Sequence, residues 1–167
     1  MNHRLEPLDD DHDLDPFRCG QAVDDWLSRH ARHATRQGTR TYVLVEEAAQ
    51  TVSGYFAVAP HLLERNEAPR RMGRGAPNRI PAILLAKFAV HERLQHQGLG
   101  AELLVHALTT IIAAARAAGG RVVLVDAIDE RAVRFYRAHN FEPLPARPDR
   151  LVMKLSTAAR ALGLEWP

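Results

Sequence analysis

The feature that most constrains the fold is an apolar run that leads through a polar loop into a long helical pattern. Residues 82–90, AILLAKFAV, are apolar at nearly every position, as expected for a strand buried on both faces. Apolar residues then recur at helical spacing over 98–118. A helix that starts directly after a strand directs its first N–H groups and the positive end of its dipole beyond the sheet edge, where anions bind. Gly98 and Gly100 lack Cβ atoms, so this junction predicts an anion-binding elbow, and a helix start that needs glycine only for its turn is the alternative.

The second half of the chain alternates strand and helix patterns. They lie at 82–90, 98–118, 121–127, 129–140 and 150–155. This order predicts an α/β arrangement with at least one parallel pair of strands. The last twelve residues are expected to form a short helix or a loose tail. The chain shows no internal repeat or linker, and we expect a single domain over residues 1–167.

The first half predicts a weak strand around residues 3–8, then a helix, then a hairpin. The helix has apolar residues at helical spacing: Val23, Trp26, Leu27, Ala31 and Ala34. RTYVLVE (40–46) and TVSGYFAV (51–58) are β-branched and aromatic runs separated by a short polar connection, which favours an antiparallel hairpin.

The charged residues are mostly arginine, which accounts for 20 of the 22 basic side chains since Lys87 and Lys154 are the only lysines. Arginine suits phosphate, although a GC-rich genome would also favour it. Residues 61–79 concentrate five arginines in a predicted loop or short irregular helix, whereas the acidic stretch 9–15 is expected to be a solvated loop. With one cysteine, no leader and no bilayer-length apolar run, a soluble cytoplasmic protein is expected.

Two ordered motifs resemble those of the GNAT superfamily of acyl-CoA-dependent N-acyltransferases. QHQGLG (95–100) matches the Q/R-x-x-G-x-G/A loop, and AVRFYRAHNF (132–141) matches the later A-x-x-F-Y-x-x-x-G-F pattern. The resemblance implies one GNAT domain whose mixed, mostly antiparallel sheet has a splayed central parallel strand pair and flanking helices. It also implies that the elbow holds the pyrophosphate of acetyl-CoA.

A narrower resemblance to the GNAT toxins of bacterial toxin-antitoxin modules covers almost the whole chain, including FRCG (17–20) and VDAIDERAVRFY (125–136). It implies acetylation of the α-amine of aminoacyl-tRNA, a block of translation, and a cognate antitoxin as partner. The aminoacyl group, the antitoxin and the oligomeric state, including a homodimer, stay open. Three positions depart from the family pattern: Ala86 for glycine, His91 for aspartate, and Asn140 for glycine. Of these, Asn140 tolerates the left-handed conformation, while His91 is expected near the cofactor entrance and leaves acceptor details open.

The resemblance also implies residue roles. Tyr136 is the candidate general acid that protonates the CoA sulfur, with a packing tyrosine as the alternative. Backbone bonds to the pantetheine arm are expected from Phe88, Ala89 and Val90, which otherwise serve as core strand. The pyrophosphate loop comprises Gln95, His96, Gln97, Gly98, Leu99, Gly100 and Ala101.

Other groups receive simpler interpretations. Candidate contacts to tRNA phosphates are Arg70, Arg71, Arg74 and Arg79, with a solvated loop as the alternative. His30 and His33 lack acidic or cysteine partners, so no metal site is expected. Cys19 is expected to be buried, and Asp129 and Arg131 to cap and decorate a helix. The competing functions are acetylation of a small amine or protein N-terminus, and CoA binding without catalysis.

Overall fold

The computed structural model describes residues 2–20 and 25–167, which form strands and helices in mixed order. The strands are β1 His3–Pro7, β2 Arg40–Glu46, β3 Thr51–Glu64, β4 Arg79–Val90, β5 Val122–Asp126, β6 Glu142–Leu144 and β7 Arg147–Lys154. The helices are α1 Trp26–Arg36, α2 Arg70–Gly73, α3 Leu99–Ala118, α4 Glu130–Ala138 and α5 Leu155–Leu162. Two 3₁₀ turns lie at Arg65–Glu67 and Glu92–Leu94.

The strands form a seven-stranded sheet in the order β1-β2-β3-β4-β5-β7-β6. The pairs β1/β2, β2/β3, β5/β7 and β6/β7 are antiparallel. The pair β4/β5 is parallel, with a register from Ala82 opposite Val122 to Leu85 opposite Val125. The mixed, mostly antiparallel sheet with one central parallel pair is therefore confirmed. The predicted hairpin is β2 and β3, joined through residues 47–50.

Some boundaries differ from the predicted ones. Strand β3 continues to Glu64, although residues 61–64 were expected in the arginine-rich loop. The strand alternation explains this extension, because Leu63 is buried while Leu62 is 54% exposed. Strand β6 was not predicted, since it has only three residues and contains a proline that suits an edge. The end of the chain forms the short helix α5, and the predicted Val23 lies outside the described residues.

The chain divides into two compact units. The first comprises Met1–Ala59 and Ala86–Ala107, and the second comprises Pro60–Leu85 and Leu108–Pro167. The expectation of a single domain stays a prediction.

The first unit packs α1 and the segment before it against strands β2 and β3. Phe17 and Tyr55 meet edge to face, with ring centroids 5.4 Å apart. Trp26 stacks on Tyr55 at 5.9 Å, and the ammonium of Lys87 lies 5.6 Å from the Trp26 ring. This aromatic group holds the start of α1 beside the last residues of β4.

The second unit has a core in which the arginine-rich segment takes part. Met72 of α2 is buried with Ala68 and Ala76, and the three pack with apolar residues of the unit's strands: Leu63, Ile80, Ala82, Val122, Leu124, Leu144 and Val152. The segment 65–79 is therefore held in place by apolar anchors between its arginines.

Helix α3 is the one helix in residues 2–20 and 25–167 that is long and apolar enough to cross a membrane. Its buried stripe runs through Leu99, Leu103, Leu104, Ala107, Leu108, Ile111, Ile112 and Ala115. Such a stripe is typical of the core helix of a folded domain, so this helix alone is weak support for a membrane span.

Candidate active site

The elbow between β4 and α3 has the backbone shape of an anion cradle. His96 (φ +65°) and Gly98 (φ +84°) both adopt the left-handed conformation, one on each side of Gln97. A Cβ built on Gly98 has no atom within 4 Å, so the space beside it is open. The first four N–H groups of a helix have no intrahelical acceptor, and those of α3 follow directly. These residues fit the pyrophosphate of acetyl-CoA, whose charge the helix end would stabilise.

Gly100 and its neighbours differ from Gly98 in what they contribute. Gly100 lies in the first turn of α3 and has no positive φ. Leu99 is buried, while His96 and Gln97 are exposed. The Gln97 amide donates to the Arg93 carbonyl at 3.2 Å, which closes the loop on itself.

Gln95 holds the elbow in position from beneath. Its side-chain Nε2 donates to two backbone carbonyls, that of Cys19 at 2.8 Å and that of Val90 at 3.0 Å. Both donors of this amide are thereby committed to the protein. Gln95 therefore connects the end of β4 to the segment before α1, and its place in the motif is accounted for by the shape of the loop.

His91 is buried at 7% exposure, and its ring makes three contacts. Nδ1 accepts from the Arg93 N–H at 3.2 Å and so caps the 3₁₀ turn, while Nε2 lies 3.3 Å from the Pro16 carbonyl. The ring also meets Phe17 edge to face at 5.6 Å. A carboxylate would cap the same N–H, which explains how histidine can stand where the family pattern has aspartate.

The last residues of β4 pack closely against Gly54 of β3. A Cβ on Gly54 would lie 3.1 Å from the Ala89 carbonyl oxygen and 3.2 Å from the Leu103 Cδ2 of α3. Both are tighter than ordinary van der Waals contact, so only glycine lets strand and helix approach this closely. Phe88, Ala89 and Val90 end β4 as predicted, and Val90 also accepts the bond from Gln95.

Tyr136 lies on α4 in the second unit and is 5% exposed. Its ring meets Phe135 at 5.3 Å and Phe141 at 5.5 Å, both edge to face. Burial raises the pKa of the Tyr136 hydroxyl above its ordinary value, so the phenol keeps its proton throughout the physiological range. A buried, protonated phenol is a hydrogen-bond donor, and contacts with Phe135 and Phe141 position its ring.

Helix α4 begins and ends as the sequence predicts. The Asp129 carboxylate accepts from the Ala132 N–H at 2.8 Å and caps the start. Asn140 has a φ of +72°, the left-handed conformation that glycine would supply in the family pattern. Phe141 then donates its N–H to the Tyr136 carbonyl at 3.1 Å, so the motif closes on the tyrosine itself.

The four candidate phosphate-binding arginines divide into two pairs. Arg71 forms an ion pair with Glu142, and Arg79 lies 3.6 Å from the Glu64 carboxylate. Arg70 and Arg74 are exposed and have no ion pair within residues 2–20 and 25–167. Arg70 and Arg74 are therefore the two whose charge is not already offset by a carboxylate.

Other expectations concern groups away from these segments. Cys19 is buried, as predicted. Among residues 2–20 and 25–167, no three His, Cys, Asp or Glu side chains lie together in a group that could hold a metal ion. In the acidic stretch, Asp9, Asp11 and Asp13 are exposed, whereas Leu14 is buried.

Sequence reasoning missed two features. Gly54 interrupts the apolar run 51–58, and an isolated glycine in a strand is a known sign of close backbone approach, so a signal existed. The cluster of His61, Asp126 and Arg150 joins side chains up to 89 positions apart, and no local pattern marks it.

Comparison with known proteins identifies the class. A family model described as acetyltransferase (GNAT) domain matches residues 37–143. The chain is 32% identical over 158 residues to a tRNA-acetylating toxin of Mycobacterium tuberculosis, covering 93% of this chain and 94% of the relative. The chain therefore belongs to the GNAT acetyltransferase family. As a member of that family it is an N-acetyltransferase that uses acetyl-CoA.

Two solved structures of similar proteins contain ligands. AtaT complexed with acetyl-methionyl-tRNAfMet has a TM-score of 0.87 and 28% identity, covering 96% of this chain and 99% of that one. A tyrosine-to-phenylalanine mutant of the AtaT toxin, bound to the C-terminus of the antitoxin AtaR and acetyl-CoA, has a TM-score of 0.81 and 28% identity. That match covers 98% of this chain and 99% of the AtaT chain.

Proposed function

We propose that this chain acetylates the α-amine of aminoacyl-tRNA and thereby acts as a toxin that blocks translation. The observation that carries the proposal is near full-length similarity to a tRNA-acetylating toxin, at 32% identity over 93% of the chain. The likeness to AtaT, solved with an acetyl-methionyl-tRNA, supports the same acceptor class. A cognate antitoxin partner is supported by the AtaT–AtaR complex, and the cytoplasm, where charged tRNA and acetyl-CoA occur, is the proposed location.

The chemistry requires an uncharged amine, a thioester carbonyl and a proton for the departing sulfur. Acetyl-CoA supplies the acetyl group and the thiolate leaving group. The amine nitrogen forms the new C–N bond as the C–S bond breaks, and one proton leaves the amine while one reaches the sulfur. Because the ester withdraws electrons, the acceptor amine has a pKa below the roughly 7.7 to 8.0 of an ordinary α-amino group, so much of it is already neutral. The chain therefore needs no dedicated carboxylate base.

In this proposal each group has its own part in the reaction. The elbow at Gln97 to Ala101 binds the pyrophosphate, while the end of β4 offers its backbone to the pantetheine arm. Tyr136 donates a hydrogen bond to the sulfur. Its raised pKa means that the phenol carries its proton when acetyl-CoA binds. The sulfur takes up that proton as the C–S bond breaks, and the proton released by the amine restores the phenol. Arg70 and Arg74 attract the tRNA backbone.

The test is transfer of labelled acetyl groups from acetyl-CoA to total charged tRNA, followed by hydrolysis to identify the labelled amino acid. Tyr136→Phe is the matched variant, because it keeps the ring contacts with Phe135 and Phe141 and removes only the hydroxyl. Its kcat should fall by about 10² to 10⁴, the usual contribution of general acid catalysis, with unchanged affinity for acetyl-CoA.

Growth after induction gives the second readout. The natural chain should stop growth by halting translation, whereas Tyr136→Phe should be tolerated. Equal toxicity of the two chains would refute the role of Tyr136. A harmless natural chain that acetylates free amines but no charged tRNA would refute the proposed acceptor and favour a small-amine substrate.

A further inference from the structure

Three polar side chains of the second unit form a connected cluster at the carboxyl end of β5. Asp126 and Arg150 are opposite each other in the β5/β7 register. Arg150 binds Asp126 through two parallel bonds, Nε to Oδ1 at 2.6 Å and Nη2 to Oδ2 at 2.8 Å. The remaining nitrogen, Nη1, lies 3.1 Å from Nε2 of His61 on β3. The Arg150 side chain is only 15% exposed, so the cluster is a built feature of the fold.

The contact with Arg150 fixes the tautomer of His61. A guanidinium can only donate hydrogen bonds, so Nε2 of His61 accepts and its ring proton is on Nδ1. Burial lowers the pKa of His61, and the charge of Arg150 lowers it further, which keeps the imidazole neutral. Within residues 2–20 and 25–167, Nδ1 has no hydrogen-bond partner and is not among the buried polar atoms left unsatisfied, so it reaches solvent. His61 thus presents one fixed N–H donor to solvent.

The cluster lies on the face of the sheet that the arginine-rich segment covers. Each of its members lies two positions along its strand from a residue of the second unit's core: His61 from Leu63, Asp126 from Leu124, and Arg150 from Val152. Side chains two apart on a strand share a face. The same core includes Met72 of α2, and Glu67 of the segment influences both His61 and Arg150 electrostatically.

This placement brings the donor to a surface suited to ribose and phosphate. Arg70 and Arg74 lie on α2 and directly after it, on the segment that packs on this face. Helix α4, which carries Tyr136, begins at Glu130, four residues after Asp126. In sheets with parallel strands, ligands bind beyond the carboxyl ends of the strands, and Asp126 ends β5.

We propose that His61 is a positioning residue for the acceptor, donating a hydrogen bond from Nδ1 to an oxygen of the aminoacylated 3′ end of tRNA. The oxygen belongs to a ribose, phosphate or ester group. Each of these has an oxygen lone pair that can accept the hydrogen bond. Asp126 and Arg150 hold the ring in place. Because Arg150 occupies the Nε2 lone pair, His61 acts as a donor and not as the base for the amine. The inference rests on the proposed function.

Two variants separate the two ring nitrogens. His61→Gln carries its amide at the depth of Nε2, so it keeps an acceptor for Arg150 and loses the donor at Nδ1. His61→Asn carries its amide at the depth of Nδ1, so it keeps that donor and loses the contact with Arg150. His33→Gln, an exposed position on α1, is the control for removing a histidine.

The assay is steady-state acetylation of total aminoacyl-tRNA, with kcat and KM determined for the tRNA and for acetyl-CoA. For His61→Gln the KM for tRNA should rise about 3- to 10-fold, as the loss of one neutral hydrogen bond implies. Its kcat and its KM for acetyl-CoA should stay within about twofold. His61→Asn should retain a KM for tRNA near that of the natural chain.

Two results would overturn the inference. One is an unchanged KM for tRNA in His61→Gln. The other is an equal rise in the KM for tRNA in both variants together with a higher KM for acetyl-CoA, which would indicate a purely structural role. The natural chain tests the proposed function independently in the same assay. If it does not label charged tRNA, the function is refuted, whereas labelling with a normal KM in His61→Gln refutes only the role of His61.

Discussion

Replacing Gly54 by alanine should weaken acetyl-CoA binding by moving the segments that hold it. The new Cβ would lie 3.1 Å from the Ala89 carbonyl and 3.2 Å from Leu103 Cδ2, so each must retreat by a few tenths of an ångström. Ala89 belongs to the end of β4 and Leu103 to the first half of α3, and the elbow connects them. The strain is therefore distributed over both sides of the proposed pyrophosphate loop.

The magnitude follows from two opposing effects of Gly54→Ala. Overpacking of a buried site costs about 1 to 3 kcal/mol. The lower entropy of the unfolded alanine chain offsets roughly 0.4 to 1 kcal/mol of that cost. The net loss should be about 1 to 2 kcal/mol, which for a chain of this size lowers Tm by roughly 2 to 8 °C.

Calorimetric titration with acetyl-CoA and thermal melting measure the two effects of Gly54→Ala separately. Gly73→Ala is the matched control, because its Cβ would meet Arg65 Cγ at a similar 3.2 Å, on the segment 65–79 and not on β4 or α3. Gly73→Ala should leave the acetyl-CoA affinity unchanged. If Gly54→Ala melts and binds like the natural chain, the close packing at Gly54 does not support the site.

Three further predictions concern the elbow, the arginines and the cap. Gly98→Val should abolish acetyl-CoA binding, as measured by calorimetry. The control Gly38→Val, at a position with a similar positive φ of +100° and equally open space, should only lower stability. Equal affinities of the two variants for acetyl-CoA would remove the elbow from the mechanism. Reversing Arg70 and Arg74 to glutamate should reduce the slope of log K for tRNA binding against log salt concentration by about 1 to 2. Reversing the paired Arg71 and Arg79 should reduce it less, and equal slopes for the two double variants would contradict this. His91→Asn should retain about 1 kcal/mol more stability than His91→Ala in denaturant unfolding, since the amide can still accept from Arg93, and identical midpoints would refute the cap.

The order of the longer elements was predictable because most of them have a strong local signal. The parallel pair β4/β5 follows from two apolar runs with a helix between them, and the asparagine at 140 kept the left-handed conformation that its motif requires. The end of β3 was missed because Pro60 and the charges after Leu63 hid a strand whose alternation is visible only once the core is known. Local signals therefore predicted which elements form better than they predicted where those elements end.

The site was predictable in its backbone and less so in its side chains. The glycine pattern correctly marked the turn between β4 and α3, because φ values and helix ends are local properties, whereas its binding of pyrophosphate stays a prediction. The roles of Gln95 and His91 were not fully visible, since one partner of each, the carbonyl of Cys19 or of Pro16, lies more than seventy positions away in the sequence. Long-range hydrogen bonds of this kind leave no spacing to detect.

The difference between local signals and long-range contacts also explains why the four arginines divide into two pairs. The sequence shows all four arginines as equivalent cations, but the fold places Glu142 beside Arg71 and Glu64 beside Arg79. An exposed ion pair contributes little stability, about 0 to 1 kcal/mol, so its main effect here is to offset the charge of the arginine. The ion pairs place Arg71 beside β6 and Arg79 beside the end of β3, while the apolar anchors Ala68, Met72 and Ala76 hold the segment on its core. Arg70 and Arg74 are then carried on a segment that is already packed on the core, and a phosphate that binds them need not first order the segment.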